Sequence, residues 1–146
     1  MKDLPHLYRV TSEGKSTGNL ITRAENLPDM PVAPPLQFGG PGDQWSPEDL
    51  LMASVSSCLV LSFRAIAKAS KFEWSAIECE SEGVLDKIER KVQFTGILSK
   101  VKLLIPASES KEKAERLLHK ADASCLVSNS LSCMSRLECE IEFVGE

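Results

Sequence analysis

The chain is 146 residues long, 42% hydrophobic and 26% charged, with a formal net charge of −4. That length suits one folded domain over residues 1–146 with a core of its own, and that composition suits a soluble globular protein. Its 17 basic residues form no dense run, so the clustered positive footprint that nucleic-acid binding requires is missing.

Residues Met1 to Val10 lack the apolar stretch of about 7–15 residues that marks a secretory signal. The expectation is a cytoplasmic location, where thiols stay reduced. Tyr8 to Thr11 and Leu20 to Thr22 are expected as short strands, with Gly14 and Gly18 marking the turn between them. Pro28, Pro31, Pro34 and Pro35 then impose an extended, non-helical segment, and Gly39-Gly40-Pro41-Gly42 prolongs the loop.

A long helix is expected next. Ser46 is a good N-cap, Pro47 fits the first helical position, and Glu48 and Asp49 place negative charge at the positive end of the helix dipole. No Gly or Pro follows until after Ala69. Leu50, Leu51, Val55, Leu59, Val60, Leu61, Phe63 and Ile66 cover more than one face, so this helix belongs in the middle of the protein, where it can pack against a second copy of itself. Ser54, Ser56, Ser57, Ser62 and Arg64 interrupt the stretch from Leu50 to Ala67. That argues for a buried helix and against a membrane span.

Strands follow. Ile77-Glu78-Cys79-Glu80 alternates apolar with acidic residues, and Val84-Leu85 extends it across an irregularity at Gly83. Val92 and Phe94 begin another run, Gly96 predicts a bulge or bend, and Val101, Leu103 and Ile105 resume the alternation up to Pro106. Ser108 is expected to cap a second helix. Ala114, Leu117, Leu118 and Ala121 form its buried face, Lys111, Glu112, Glu115 and Arg116 its exposed one, and it ends near Ala123-Ser124-Cys125. The last strand puts Leu137, Cys139, Ile141 and Phe143 on one side and Glu138, Glu140 and Glu142 on the other. Strands and helices are segregated, which defines an α+β fold.

The chemistry points to thiols. There are five cysteines, an odd number with no CxxC spacing, and only two histidines, His6 and His119. This is neither a secreted disulfide framework nor a Cys/His metal site. Cys58 lies in the middle of the first helix, where a cysteine is either a small buried hydrophobe or a nucleophile. A nucleophile must be a thiolate. The dipole of its own helix helps little so far from the end. Its neighbours three and four positions away are Ser54, Val55, Leu61 and Ser62, none of them cationic. An activating Arg or Lys would have to come from another segment or another chain. Cys125 falls at a helix end. Cys79 and Cys139 fall on apolar strand faces and read as core residues, and Cys133 is the rival to Cys125 as a second reactive thiol.

Two segments together resemble the OsmC/Ohr family of osmotically inducible and organic hydroperoxide resistance proteins. One is Ser46-Pro47-Glu48-Asp49-Leu50-Leu51 with Ala53-Ser54 and Ser57-Cys58-Leu59. The other is Cys125-Leu126-Val127-Ser128-Asn129-Ser130-Leu131, 67 positions beyond Cys58. Gly39-Gly40-Pro41-Gly42 is similar to the loop before that family's helix. The resemblance implies an intertwined homodimer, with two central helices wrapped by antiparallel β-sheets and active sites at the dimer interface. It implies that Cys58 reduces an organic hydroperoxide and becomes a sulfenic acid, and that Cys125 condenses with it to a disulfide. A dithiol reductant, in Ohr-type proteins a lipoylated protein, then reopens the disulfide. No cofactor or metal is implied, and no membrane or nucleic-acid partner.

Glu48 is the family's helix-start acid, yet it stands ten residues from Cys58, about 15 Å along one straight helix. It would act through an intervening cation or from the partner subunit, or else serve only the helix dipole. The chain departs from the family twice. Where members carry an Arg that pairs with the Glu, this chain has Gly14-Lys15-Ser16 and Gln37-Phe38, leaving Lys15, Arg9 or Arg23 as substitutes. Where the second motif often has Pro after its Cys, this chain has Leu126. The alternative to a peroxidase is a protein of this fold that binds an apolar small molecule or senses redox state.

Overall fold

The computed structural model describes residues 2–145. They fall into two compact units, one ending at Leu51 and the other starting at Met52.

In the first unit, strands β1 (Thr11–Glu13), β2 (Leu20–Arg23) and β3 (Met30–Val32) form a small antiparallel sheet in that order. The strand expected over Tyr8 to Thr11 starts only at Thr11; Tyr8 and Val10 are exposed and unpaired with β2. The proline-rich segment supplies β3 and a single 3-10 turn at Leu36–Phe38. That turn is closed by Gly39 in the left-handed region, φ 82°. Helix α1 (Pro47–Ala69) starts at the end of this unit and continues in the second. Its cap is as expected: the Ser46 oxygen accepts from the Asp49 N–H at 3.0 Å, and its hydroxyl donates to the Asp49 carboxylate at 2.9 Å.

The helix ends as sequence predicts, at Ala69. Lys71 turns left-handed (φ 52°), and the Lys71 and Phe72 N–H groups close back on the Lys68 and Ala67 carbonyls. Val55, Leu59, Phe63 and Ala67, spaced one turn apart, are its buried stripe, while Leu61 is exposed. The chain itself thus covers one stripe of a helix that is apolar on several sides. One sequence expectation needs correction. With a mean hydropathy of 1.8, α1 is long and apolar enough, by length and composition alone, to cross a membrane. The serines interrupt it less than expected because Leu, Val, Phe and Ile outweigh them.

In the second unit, β4 (Ala76–Ile88) and β5 (Lys91–Ile105) form one long antiparallel hairpin. Its two-residue turn, Glu89-Arg90, has both residues at positive φ, the type I′ geometry that matches strand twist. The bulge expected near Gly96 is there: Val84 pairs with Gly96 and Leu85 with Phe94, leaving Thr95 as the extra residue. Gly83 is required by a close approach, since a side chain there would meet the Met52 sulfur and the Phe94 ring.

Helix α2 (Lys111–Ala123) crosses back over this hairpin, a single turn α3 (Leu126–Asn129) follows, and β6 (Met134–Phe143) lies beside β5. Two expectations are corrected here. The cap of α2 is Ser110, not Ser108: its oxygen accepts from Lys113 N–H at 3.0 Å. And β6 runs parallel to β5, so the large sheet is mixed where the family resemblance implied antiparallel sheets. The helical crossover returns the chain to the same end of the sheet, and a strand starting there must be parallel.

The core lies between the helices and one sheet face. Leu59, Phe63 and Ala67 of α1 meet Val101, Leu103 and Ile105 of β5 and Leu117, Leu118 and Ala121 of α2. Phe63 is completely buried and stands edge-on to Phe72 and Trp74. The opposite sheet face is charged, with cross-strand rows Glu80–Lys100–Glu138 and Glu78–Lys102–Glu140. The alternation read in the sequence is thus the alternation of the sheet.

Candidate active site

Cys58 is half-buried in the middle of α1, next to Leu59, whose side chain anchors that part of the helix in the core. Cys125 is completely buried at the junction of α2 and α3. Its N–H closes α2 onto the Asp122 carbonyl at 3.3 Å, and its carbonyl accepts the first bond of α3, from Asn129 N–H at 3.0 Å. Cys125 is therefore the N-cap of α3, with an extended backbone (φ −66°, ψ 110°), and its side chain makes no capping bond. Its thiol and that of Cys58 are close enough for each to act on the other's ionisation.

The two thiols are pushed in opposite directions. Burial raises Cys58, but four donors outweigh it: the Val127 N–H, the Cys125 S–H, the Ser62 hydroxyl and the Leu126 N–H. Cys58 lies below the ordinary thiol value as a result. Burial raises Cys125 too; the hydroxyl and N–H of Ser128 oppose this, and the charge of Cys58 beside it adds to the rise. Ionisation is thus favoured at Cys58 over Cys125.

The groups that lower Cys58 are thus hydrogen-bond donors, where the sequence reading looked for a cation. The dipole of α1 cannot reach its own midpoint. What reaches Cys58 is the start of a different helix, α3, whose first N–H groups have no helical partner. The sequence hides α3: it has a single turn, and its cap is a cysteine rather than Ser, Thr, Asp or Asn. Ser62 was visible as a helical neighbour of Cys58, and its hydroxyl was the available signal.

Cys79 and Cys139 sit on the inner sheet face, packed against the core as expected. Burial raises Cys79, whose sulfur is 3.9 Å from the Ser81 hydroxyl. Burial and the nearby charges of Glu115 and Asp122 push Cys139 up to about 11. Cys133 lies half-buried in the loop before β6 and is not among the groups that act on Cys58 or Cys125.

Glu48 stands in the first turn of α1, and its Oε1 is buried with no hydrogen-bond partner among the described residues. Of the candidate cations, Arg23 is bound to Glu13 and to Asp29, the latter at 3.1 Å, while Arg9 and Lys15 are exposed. Among the described residues, no group of three or more His, Cys, Asp or Glu side chains is arranged to hold a metal.

A model of the family of OsmC-like proteins matches residues 40–140, which span the α1 cap, both cysteines and most of β6. The chain belongs to that family. It is 24% identical over 135 residues to the uncharacterised protein YmaD of Bacillus subtilis, covering 89% of this chain and 85% of that one. Its fold is similar to that of VCA0330 from Vibrio cholerae, an OsmC-like protein of unknown function, with TM-score 0.86, 15% identity and coverage of 93% and 100% of the two chains. An organic hydroperoxide resistance protein from Elizabethkingia anophelis, whose crystal structure contains bound thiocyanate, gives TM-score 0.78 at 20% identity, covering 97% and 100%. At such identities these structures establish the fold alone.

Proposed function

We propose that the protein is a thiol peroxidase that reduces organic hydroperoxides, with Cys58 as the peroxide-attacking thiol and Cys125 as the resolving one. The observation that carries this reading is the opposite tuning of two facing thiols, one held towards thiolate and the other kept protonated beside it. Membership of the OsmC-like family supports it, since that family includes hydroperoxide resistance proteins.

The Cys58 thiolate attacks one oxygen of ROOH. The O–O bond breaks, Cys58 becomes a sulfenic acid, and the alkoxide leaves and takes up a proton to give ROH. The Cys125 S–H, already pointed at the Cys58 sulfur, is the adjacent proton source. Losing that proton leaves Cys125 as a thiolate, which attacks the sulfenic sulfur, expels hydroxide (water once protonated) and closes the Cys58–Cys125 disulfide. A dithiol, such as that of a lipoylated protein, reduces that disulfide by two exchange steps and completes the two-electron cycle.

The acting unit is a homodimer. Family members are dimeric, and α1 carries apolar faces beyond the one stripe its own chain buries. Glu48, with a buried oxygen lacking a partner, is the acid that a cation of the second copy would satisfy. Coupled assays with cumene hydroperoxide and dihydrolipoamide test the cycle. Turnover that vanishes in Cys58→Ser supports it; dithiol oxidation no faster than without protein refutes it.

A further inference from the structure

We propose that the outer part of the β4–β5 hairpin, residues 85–94, is an arm that closes over α1 of a second copy of this chain, and that the bulge at Thr95 serves to turn its apolar side chains onto the clamping face. The proposal rests on the homodimer put forward above and not on the peroxide chemistry. Strand β6 begins opposite Gly96, so beyond the bulge the sheet has only two strands. A two-stranded hairpin is marginal in water and needs a further strand or a helix to pack on.

The bulge decides what the arm presents. Ile97, Ser99, Val101 and Leu103 are the buried side of β5. Unbroken alternation would bring Thr95, Gln93 and Lys91 to that same side. The extra residue shifts the phase, so that Phe94 pairs with Leu85 and Val92 with Lys87. Directly opposite residues share a face, and on β4 Leu85 and Lys87 continue the face of Cys79 and Gly83. The inner face of the sheet therefore runs on into the arm as Leu85, Phe94 and Val92. The Phe94 ring bears this out, since it reaches the point that a Gly83 side chain would occupy, beside the sulfur of Met52 on α1. Farther out the chain leaves this face open: Leu85 is 38% and Val92 55% exposed.

The same chain carries the matching surface. Leu61 of α1 is 56% exposed, on the side of the helix away from its buried stripe. An apolar sheet face that lacks a helix and an apolar helix side that lacks a sheet complement each other. A two-fold axis satisfies both at once, because the arm of each copy then lies on the helix of the other.

The test is sedimentation velocity of the full chain at micromolar concentration, with Val92→Glu on the clamping face and Gln93→Glu on the opposite face of the same strand. Val92 is exposed within its own chain, so both variants should melt like wild type. Wild type and Gln93→Glu should sediment as dimers, and Val92→Glu should weaken the dimer about tenfold or more. A monomeric wild type, or equal dimer affinities in the two variants, would overturn the proposal. A second measurement identifies the occupant. With benzoylphenylalanine in place of Val92, light should join two copies through a peptide of α1; a crosslink to any other segment, or none, would overturn the proposal. Dimers weakened by Val92→Glu in a protein without turnover would refute the peroxidase reading and leave the arm standing. Dimers indifferent to Val92→Glu in a protein that turns over would do the reverse.

Discussion

Cys58 and Cys139 are both half-buried thiols in the same compact unit, and they end on opposite sides of the ordinary thiol value. Cys139 points from a strand into apolar side chains, with the charges of Glu115 and Asp122 acting on it, and every influence on it favours the neutral form. Cys58 points from a helix at two backbone N–H groups, a hydroxyl and a thiol. Burial opposes ionisation at both, so burial does not separate them. Donors do, and three of the four come from a turn 67 to 69 residues away in sequence, the fourth being Ser62 on the same helix. A cysteine's reactivity is thus a property of the segment facing it rather than of the helix or strand that carries it.

The largest expected break in that contrast is Cys58→Ser, which should bring peroxide consumption down to the uncatalysed background, while Cys139→Ala keeps turnover near wild type. Equal losses in the two variants, measured in one assay, would erase the distinction. Next is Cys125→Ser. It should allow one oxidation of Cys58 per chain and then stall or overoxidise, visible as mass increments at the Cys58 peptide. Normal cycling in Cys125→Ser together with stalling in Cys133→Ser would transfer the resolving role to Cys133.

A stability measurement sharpens the other side. The Cys139 thiol is raised from 9.0 to about 11 in the folded chain. Its contribution is intact below pH 9, where both states hold the proton. It is lost as pH rises from 9 towards 11, where only the unfolded chain ionises. The expected loss is about 2 kcal/mol, absent in Cys139→Ala. Denaturant midpoints that fall equally with pH in both proteins would show that this thiol is not held neutral. The smallest effect is that of Ser62→Ala, which removes one of four donors to Cys58 and should slow its alkylation at pH 7 by about threefold. An unchanged rate would assign the activation to the backbone and Cys125 alone.

Much of the fold was legible because its signals are local. Ser46-Pro47-Glu48-Asp49 specifies a helix start whatever surrounds it, and Leu137, Cys139, Ile141 and Phe143 alternate as a one-sided strand must. The parallel pairing of β6 with β5 was not legible, because it depends on where α2 returns the chain. The Ser110 cap was missed for a local reason: Ser108 and Ser110 are equivalent as cap residues, and Glu112 beside Ser110, which accepts its hydroxyl, decides between them. At the site, the two cysteines were identifiable from their motifs. What lowers the Cys58 thiol was less so, because two of its four donors are amides, which every residue but proline has. No residue type announces them, and a search for Arg or Lys passes over them.

The central claim is that Cys58 and Cys125 form a peroxide-reducing pair. The most direct test is stopped-flow oxidation of the fully reduced protein by cumene hydroperoxide and by hydrogen peroxide, followed by peptide mapping. The account predicts oxidation far faster than that of a free thiol, quicker with the organic peroxide, ending in a Cys58–Cys125 disulfide. Oxidation at the free-thiol rate, or a product in which Cys58 and Cys125 are not joined, would contradict it.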